Sequence, residues 1–361
     1  MTTHACKLSA VLPSVLAAVA ACSGGDDGSG AGLDASGGPG RTVSTAQMVF
    51  TAPPEGKPMA GSVTQEVFVM NLDGSERHQL TTDGTSKFLP HFAPDGTGLV
   101  YTRFSVGGYG VPDARSDVAV YDFTTAAETL LTSTGGASQP VFSPDGKRIA
   151  YGQGTLTGGG APGLYVMNVD GSSPQRIGGP SGAADDQVWG DLAWSSDDWI
   201  LFVVAQRIDG CFKTRLDKIR PDGSARTKVT DAGPNCTPDG AEQSGDADPG
   251  FSHDGKTIYS SRGFPVSPAG GPSSLTERKL YAFSSEPWSQ GKPEQDLSLP
   301  SEPSCIEGVP KGSPDGTRVL LFRACFDSSA TRSGIHVADA AGTSRTWVTD
   351  GFGPDWNPVA K

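Results

Sequence analysis

The sequence predicts an all-β fold: a six-bladed β-propeller of four-stranded antiparallel blades, closed by pairing of its N- and C-terminal strands. Three observations predict it. A turn-bearing segment recurs five times, a β-rich run follows each copy, and the two chain ends supply complementary halves of one further unit. Composition agrees, because 49 Gly and 28 Pro in 361 residues leave little room for long helices and suit many short strands joined by turns. All-β propellers of this length commonly form one domain.

The repeat is clearest at Pro90-His91-Phe92-Ala93-Pro94-Asp95-Gly96 and Pro140-Val141-Phe142-Ser143-Pro144-Asp145-Gly146. It returns at Leu192-Ala193-Trp194-Ser195-Ser196-Asp197-Asp198, which lacks Pro and Gly, and at Pro249-Gly250-Phe251-Ser252-His253-Asp254-Gly255. The fifth copy, Pro310-Lys311-Gly312-Ser313-Pro314-Asp315-Gly316, carries Gly where the others carry an aromatic ring. The aspartates are 50, 52, 57 and 61 residues apart, a period that belongs to propellers or solenoids. Pro suits the first central position of a type I turn, Asp the second, and Gly the left-handed position after it. Each copy is therefore a turn between two strands.

The strands that follow are predicted at Gly98 to Arg103, Arg148 to Gly152, Trp199 to Val204, Thr257 to Ser261 and Arg318 to Phe322. A third strand per unit is expected at Val118 to Tyr121, Leu164 to Asn168, Leu280 to Phe283 and Ile335 to Val337. Second turns such as Asp73-Gly74-Ser75, Asp170-Gly171-Ser172 and Asp222-Gly223-Ser224 lead into a fourth. Four antiparallel strands make one blade. Phe352 to Pro358 matches a first strand, while Gln47 to Thr51, Val67 to Asn71 and His78 to Leu80 match a second, third and fourth. Setting Trp356 beside Phe50 would close the ring and cover an edge otherwise left with unpaired backbone groups.

The consensus of Pro, any residue, an aromatic, then Ser-Pro-Asp-Gly, with Ile149-Ala150-Tyr151 on the next strand, resembles the TolB-type, WD-like propeller repeat. The resemblance covers about residues 46 to 360. It implies an envelope protein that binds others. No segment resembles the separate α/β domain of that family's name-giving member, which argues against the same role in the Tol-Pal system.

At the N-terminus, Lys7 precedes an apolar run from Leu8 to Ala21 that ends in small residues. These are the marks of an export signal, and the run is too short to span a bilayer. Val19-Ala20-Ala21-Cys22 resembles the bacterial lipobox, which implies that Cys22 carries the lipid anchor. Multiple acyl chains, at about 0.8 kcal/mol per buried methylene, hold a protein stably on a membrane. From Ser23 to about Gly40 the chain is nearly all Gly, Ser, Asp and Ala, a tether spanning roughly 25 Å. The expected organisation is a signal peptide over 1–21, lipidated cysteine and tether over 22–41, and propeller over 42–361.

The formal charge is −12. Nucleic-acid binding depends on Lys and Arg neutralising phosphates, so this balance excludes it as a general property. No Gly-x-Ser-x-Gly elbow, phosphate loop or His-Glu-x-x-His helix is present, which removes the commonest hydrolase and metalloprotease classes. Four cysteines remain after Cys6 leaves with the signal and Cys22 takes lipid. In an oxidising compartment an even set reads as disulfides. The placement of the strands favours Cys211 with Cys236 and Cys305 with Cys325, whereas the tight spacing of a zinc site is missing.

The candidate ligand-binding residues are polar groups just before the first strands, where a propeller exposes the mouth of its central channel: Gln139, Asp191, Asp246 and Asp248, with His91, Lys311 and Asp355 nearby on the strands. Carboxylates there could hold Ca²⁺ through oxygen ligands; no other cofactor is expected, and no catalytic residue stands out. Trp189, Trp194 and Trp356 are expected to pack blades. Long inserts at Phe104 to Ser116, Asp231 to Asp246 and Gly263 to Thr276 fall on one rim, the expected recognition face. The expected function is a monomeric, membrane-anchored scaffold that binds a protein or cell-wall glycan of the envelope. The alternative is a channel-type enzyme such as a polysaccharide lyase, which a convergence of His91, Lys311 and Asp248 would favour.

Overall fold

The computed structural model describes residues 45–57, 64–108, 111, 113–154, 161–179, 187–208, 211–231, 244–266, 275–299, 305–325 and 332–360. Among them the regular elements are strands, with no α-helix. The first three, β1 (Met48–Ala52), β2 (Glu66–Met70) and β3 (His78–Gln79), pair in sequence. The second sheet holds β4 (Lys87–Phe92), β5 (Gly98–Val106), β6 (Arg115–Asp122) and β7 (Ala127–Leu130). The third holds β8 (Ala137–Phe142), β9 (Arg148–Gln153), β10 (Gly163–Asn168) and β11 (Gln175–Gly178).

Two more four-strand units follow. One is β12 (Gln187–Trp194), β13 (Ile200–Ile208), β14 (Cys211–Ile219) and β15 (Thr227–Lys228). The other is β16 (Ser244–Phe251), β17 (Thr257–Val266), β18 (Leu275–Ser284) and β19 (Glu294–Asp296). A short parallel bridge, Lys213 with Ser244 and Thr214 with Gly245, joins them into one eight-stranded sheet. The last unit is β20 (Cys305–Gly312), β21 (Arg318–Cys325), β22 (Gly334–Asp339) and β23 (Thr346–Thr349). Then β24 (Phe352–Trp356) returns to pair antiparallel with β1. The register sets Met48 opposite Trp356 and Thr51 opposite Phe352. Trp356 is thus displaced by two residues from the expected partner, Phe50, although both rings lie in one apolar cluster.

Second strands such as Leu99-Val100-Tyr101, Leu201-Phe202-Val203 and Val319-Leu320-Leu321 are buried at every residue. Unbroken burial, instead of alternation, means that both faces of the sheet are covered. The covering layers are the neighbouring units. Val49, Val67 and Val69 pack with Phe92, Leu99 and Tyr101 of the second sheet, Val100 and Val118 with Ile149 and Met167 of the third, and Ala150 and Leu164 with Ile200 and Phe202. Further on, Leu201 and Leu216 meet Ile258 and Phe283, Tyr259 and Leu280 meet Val319 and Leu321, and Leu320 and Ile335 meet Met48 and Phe68 of the first sheet.

The recurring turn closes as its sequence requires. In the second copy, Ser143 N donates to Arg148 O at 2.9 Å, the Ser143 hydroxyl donates to Asp145 Oδ1 at 2.7 Å, and Lys147 N donates to the same oxygen at 3.1 Å. In the third copy Asp198 takes the left-handed position at φ 67° in place of Gly, a conformation Asp tolerates better than most residues. Gly312 has its own cause. A β-carbon there would lie 3.1 Å from the Tyr259 ring and 3.0 Å from the Phe251 carbonyl oxygen, so Tyr259 fills the space of the missing aromatic.

The inserts are more regular than expected. β5 runs on to Val106 and β6 starts at Arg115, while β17 reaches Val266 and β18 starts at Leu275. The two ends of the first and third inserts are therefore paired strand, and the second insert lies almost wholly outside the described residues. Gln139, Asp191, Asp246 and Asp248 lie inside β8, β12 and β16, not before them.

Candidate functional site

The strands that carry the repeat motif, β4, β8, β16, β20 and β24, share one distortion. Leu89, Gln139, Asp248, Val309 and Gly353 have φ of 49°, 55°, 47°, 52° and 59°, and each directly precedes a proline. The register to the second strand slips at the same place, for example between Phe88 and His91 and between Gly308 and Lys311. Proline cannot donate to the ladder, so the strand bulges around it. A residue before proline ordinarily stays extended, and Val in the left-handed region is costly. The surrounding packing therefore imposes this backbone.

The bulges divide these strands into two sets. Leu89 and Val309 are buried with Phe88, Phe104, Phe322 and Phe352 in one apolar cluster. Phe352 stacks on Phe88 at 5.3 Å and tilts against Phe322 at 4.9 Å, tying β24 to the second and last sheets. Gln139 and Asp248 hold the equivalent positions elsewhere. One step after the proline the distribution reverses, with His91, Lys311 and Asp355 on β4, β20 and β24 but Val141 and Gly250 on β8 and β16.

His91, Asp246, Asp248 and Asp355 are engaged through their side chains, and Gln139 and Lys311 through their backbones. His91 Nδ1 lies 3.4 Å from Asp355 Oδ2, which also accepts from Phe92 N at 3.1 Å. Asp248 accepts from the Ser261 hydroxyl at 2.8 Å, and Arg278 stands 3.9 Å away. Asp246 is gripped by Arg262 at 2.9 and 3.2 Å, and Arg262 in turn holds Glu294. Burial pushes the Asp246 carboxyl up, against the pull of Arg262. Lys311 is buried, and its carbonyl accepts from Trp356 Nε1 at 2.8 Å. Gln139 N donates to the Thr102 hydroxyl at 2.7 Å. The structure thus brings His91 and Asp355 together and sets Asp248 among Ser261 and Arg278. Among the described residues no His/Cys/Asp/Glu group has the arrangement of a metal site.

A disulfide joins Cys305 and Cys325, the first residue of β20 and the last of β21, which are register partners. Cys22 and Cys236 lie outside the described residues, as do the side chains of Cys211, Asp191 and Trp189. Trp356 is buried among the residues that join the last and first sheets, and Trp194 is half-buried against the cluster of the third and fourth units.

Sequence reading missed a second recurring device. Leu80-Thr81, Leu131-Thr132, Val229-Thr230 and Leu297-Ser298 close the fourth strands. Their hydroxyls accept from Val67 N, Val118 N, Leu216 N and Leu280 N at 2.9 to 3.0 Å. Thr81 and Thr132 then donate to Glu66 and Asp117. Glu66 also accepts from Lys87 Nζ at 2.9 Å, with both side chains buried. The apolar-hydroxyl pair is legible as a repeat, but the acid it meets is not.

No family model matches the chain. Over 117 residues, 32% of this chain, it is 29% identical to the Tol-Pal system protein TolB of Anaeromyxobacter dehalogenans (strain 2CP-C), covering 25% of that protein. Over 137 residues it is 24% identical to the TolB homolog of Chlorobaculum tepidum, covering 28% of it. The chain thus spans about a quarter of the length of these curated relatives. Among solved structures, TolB from Acinetobacter baumannii superposes with a TM-score of 0.58 at 17% identity, over 87% of this chain and 67% of that one. A putative TolB from Agrobacterium tumefaciens gives 0.54 at 17%, over 81% and 91%. Kuenenia stuttgartiensis hydrazine synthase gives 0.61 at 14%, over 88% and 47%. At these identities the structural likeness establishes the fold.

Proposed function

From the premise that this chain is a TolB-type β-propeller, we propose that it is an exported scaffold of the bacterial envelope that binds a protein or cell-wall glycan without transforming it. The eight-stranded sheet counts as two blades, which gives six, and the pairing of β24 with β1 closes the ring. The six inter-sheet apolar clusters support that count. Cys22 anchors the monomeric protein to the membrane and residues 22–41 tether it.

The observation that carries the reading is the unequal length of the second-to-third strand hairpins. β13, β14, β17 and β18 have nine or ten residues each, and β5 has nine. The corresponding β1, β2, β9 and β10 have five or six. Antiparallel order puts all these hairpin ends on one rim, so three of them stand out as a recognition surface on a rigid base. His91, Asp355, Asp246 and Asp248, being held by partners within the fold, support binding over turnover.

The test is capture of envelope proteins and cell-wall fragments by the full-length protein and by a variant whose β5–β6, β13–β14 and β17–β18 hairpins are cut to the length of β9–β10. Loss of a specific partner on shortening is expected. Retention of every partner would remove this rim from consideration.

A further inference from the structure

Two departures from the repeat, made in different units, meet at one place. The turn from β12 to β13 is one residue short. Ser195 N donates to Trp199 O, whereas Ala93, Ser143, Ser252 and Ser313 reach one residue further, to Gly98, Arg148, Thr257 and Arg318. Trp199 thereby stands where the other units carry those four residues. The connection from β18 to β19, residues 285–293, replaces a tight Asp-Gly-Ser turn with a longer loop that carries Trp288.

That loop is fastened to the neighbouring unit. Trp288 N donates to Lys228 O at 2.9 Å, Lys218 Nζ to Ser285 O at 2.7 Å and Lys292 Nζ to Val229 O at 3.3 Å, while Lys292 Nζ also braces the loop internally through Glu286 O at 2.6 Å. Because antiparallel strands alternate ends, the short turn and the long loop share the face opposite the long hairpins.

Each tryptophan ring here has a cation over one of its faces. Arg148 lies 5.1 Å from the Trp194 ring, Arg220 and Lys218 lie 3.8 and 4.6 Å from Trp199, and Lys228 lies 4.0 Å from Trp288. Trp194 Nε1 donates to Asp198, which also meets Arg148 at 3.3 Å. Trp194 and Trp199 are half-buried and Trp288 is 38% exposed. Asp198 and Asp231 pair with two of these cations, Arg148 at 3.3 Å and Lys228 at 3.0 Å, and burial pushes the Lys218 ammonium down against the opposing charges of Glu286 and Asp197. The strip is therefore nearly balanced in charge.

We infer that this strip is a second binding site, on the face away from the hairpin rim, for an extended neutral glycan. The apolar C–H faces of successive pyranose rings lie on the tryptophans, and sugar hydroxyls bond the adjacent Asp, Arg and Lys side chains. Aromatic rings already braced by cations lose little freedom on binding, so contact area converts efficiently into affinity. Balanced charge selects against polyanions, which need an excess of cations to displace their counterions.

The full-length protein is titrated with cello- and chito-oligosaccharides, followed by tryptophan fluorescence and calorimetry. Saturable binding is expected, changing little between about 0.05 and 0.5 M salt because no net charge is neutralised. Trp288→Ala should weaken it about tenfold, the value of one aromatic stacking contact, with an unchanged melting temperature because the ring is exposed. Trp288→Tyr should stay near wild type, and shortening the rim hairpins should have no effect, which separates this site from the rim. Absence of saturable binding, equal affinity of Trp288→Ala, or loss of binding at the higher salt would each overturn the inference.

Discussion

Lys87 and Glu66 show how individual residues join neighbouring sheets. Lys87 is fully buried on β4 and Glu66 on β2, and Glu66 also receives the Thr81 hydroxyl at 2.5 Å and Gly84 N at 3.0 Å. Asp83 is a second partner of the ammonium. Two buried charges so completely bonded stabilise little over a pair of apolar residues, but removing one strands the other. Lys87→Ala should therefore lower unfolding free energy by about 3–5 kcal/mol in denaturant melts, and Lys87→Met with Glu66→Leu should recover much of the loss. This pair was not legible in the sequence. Its members are 21 positions apart, belong to different repeats, and match no period; only the packing of one sheet on the next brings them together.

At the scale of elements, the first hairpin of the last unit is held by the Cys305–Cys325 bridge across 20 residues. Closing a loop of that length removes unfolded-state entropy worth about 3 kcal/mol. Cys305→Ser with Cys325→Ser should lower stability by about that amount in urea melts, and reduction of the wild type should do the same. The pairing could be anticipated because the turn motif between the cysteines fixes which strands run side by side. The lengths of β5, β17 and β18 could not. Phe104 to Val106 and Gly263 to Val266 look like insert sequence, and what keeps them extended is a partner strand nine residues or more away in the chain.

For the whole molecule, the proposed ring depends on β24. Besides pairing with β1, it contributes Phe352 to the inner apolar cluster and Trp356 to the contact between last and first sheets. Asn357 then fastens the end, its Nδ2 donating to Ala46 O at 2.8 Å and its backbone N to Gln47 O at 2.9 Å. Ending the chain after Gly351 should expose β1 as a free edge, and such edges recruit other chains. Light scattering should show concentration-dependent association of the truncated protein, with a lower melting temperature. A truncated protein that stays monomeric with wild-type stability would contradict closure through β24.

The periodic turns and the complementary chain ends determined, by themselves, that this protein is built from equivalent four-stranded antiparallel units. A turn is a local object, written in four or five consecutive residues whose backbone preferences need no distant partner. The tertiary structure decided which side chains meet: His91 with Asp355, Lys87 with Glu66, and the tryptophans of two separate units on one face. Those contacts depend on the packing and twist of whole sheets against one another, a long-range balance of burial and desolvation that no single segment encodes.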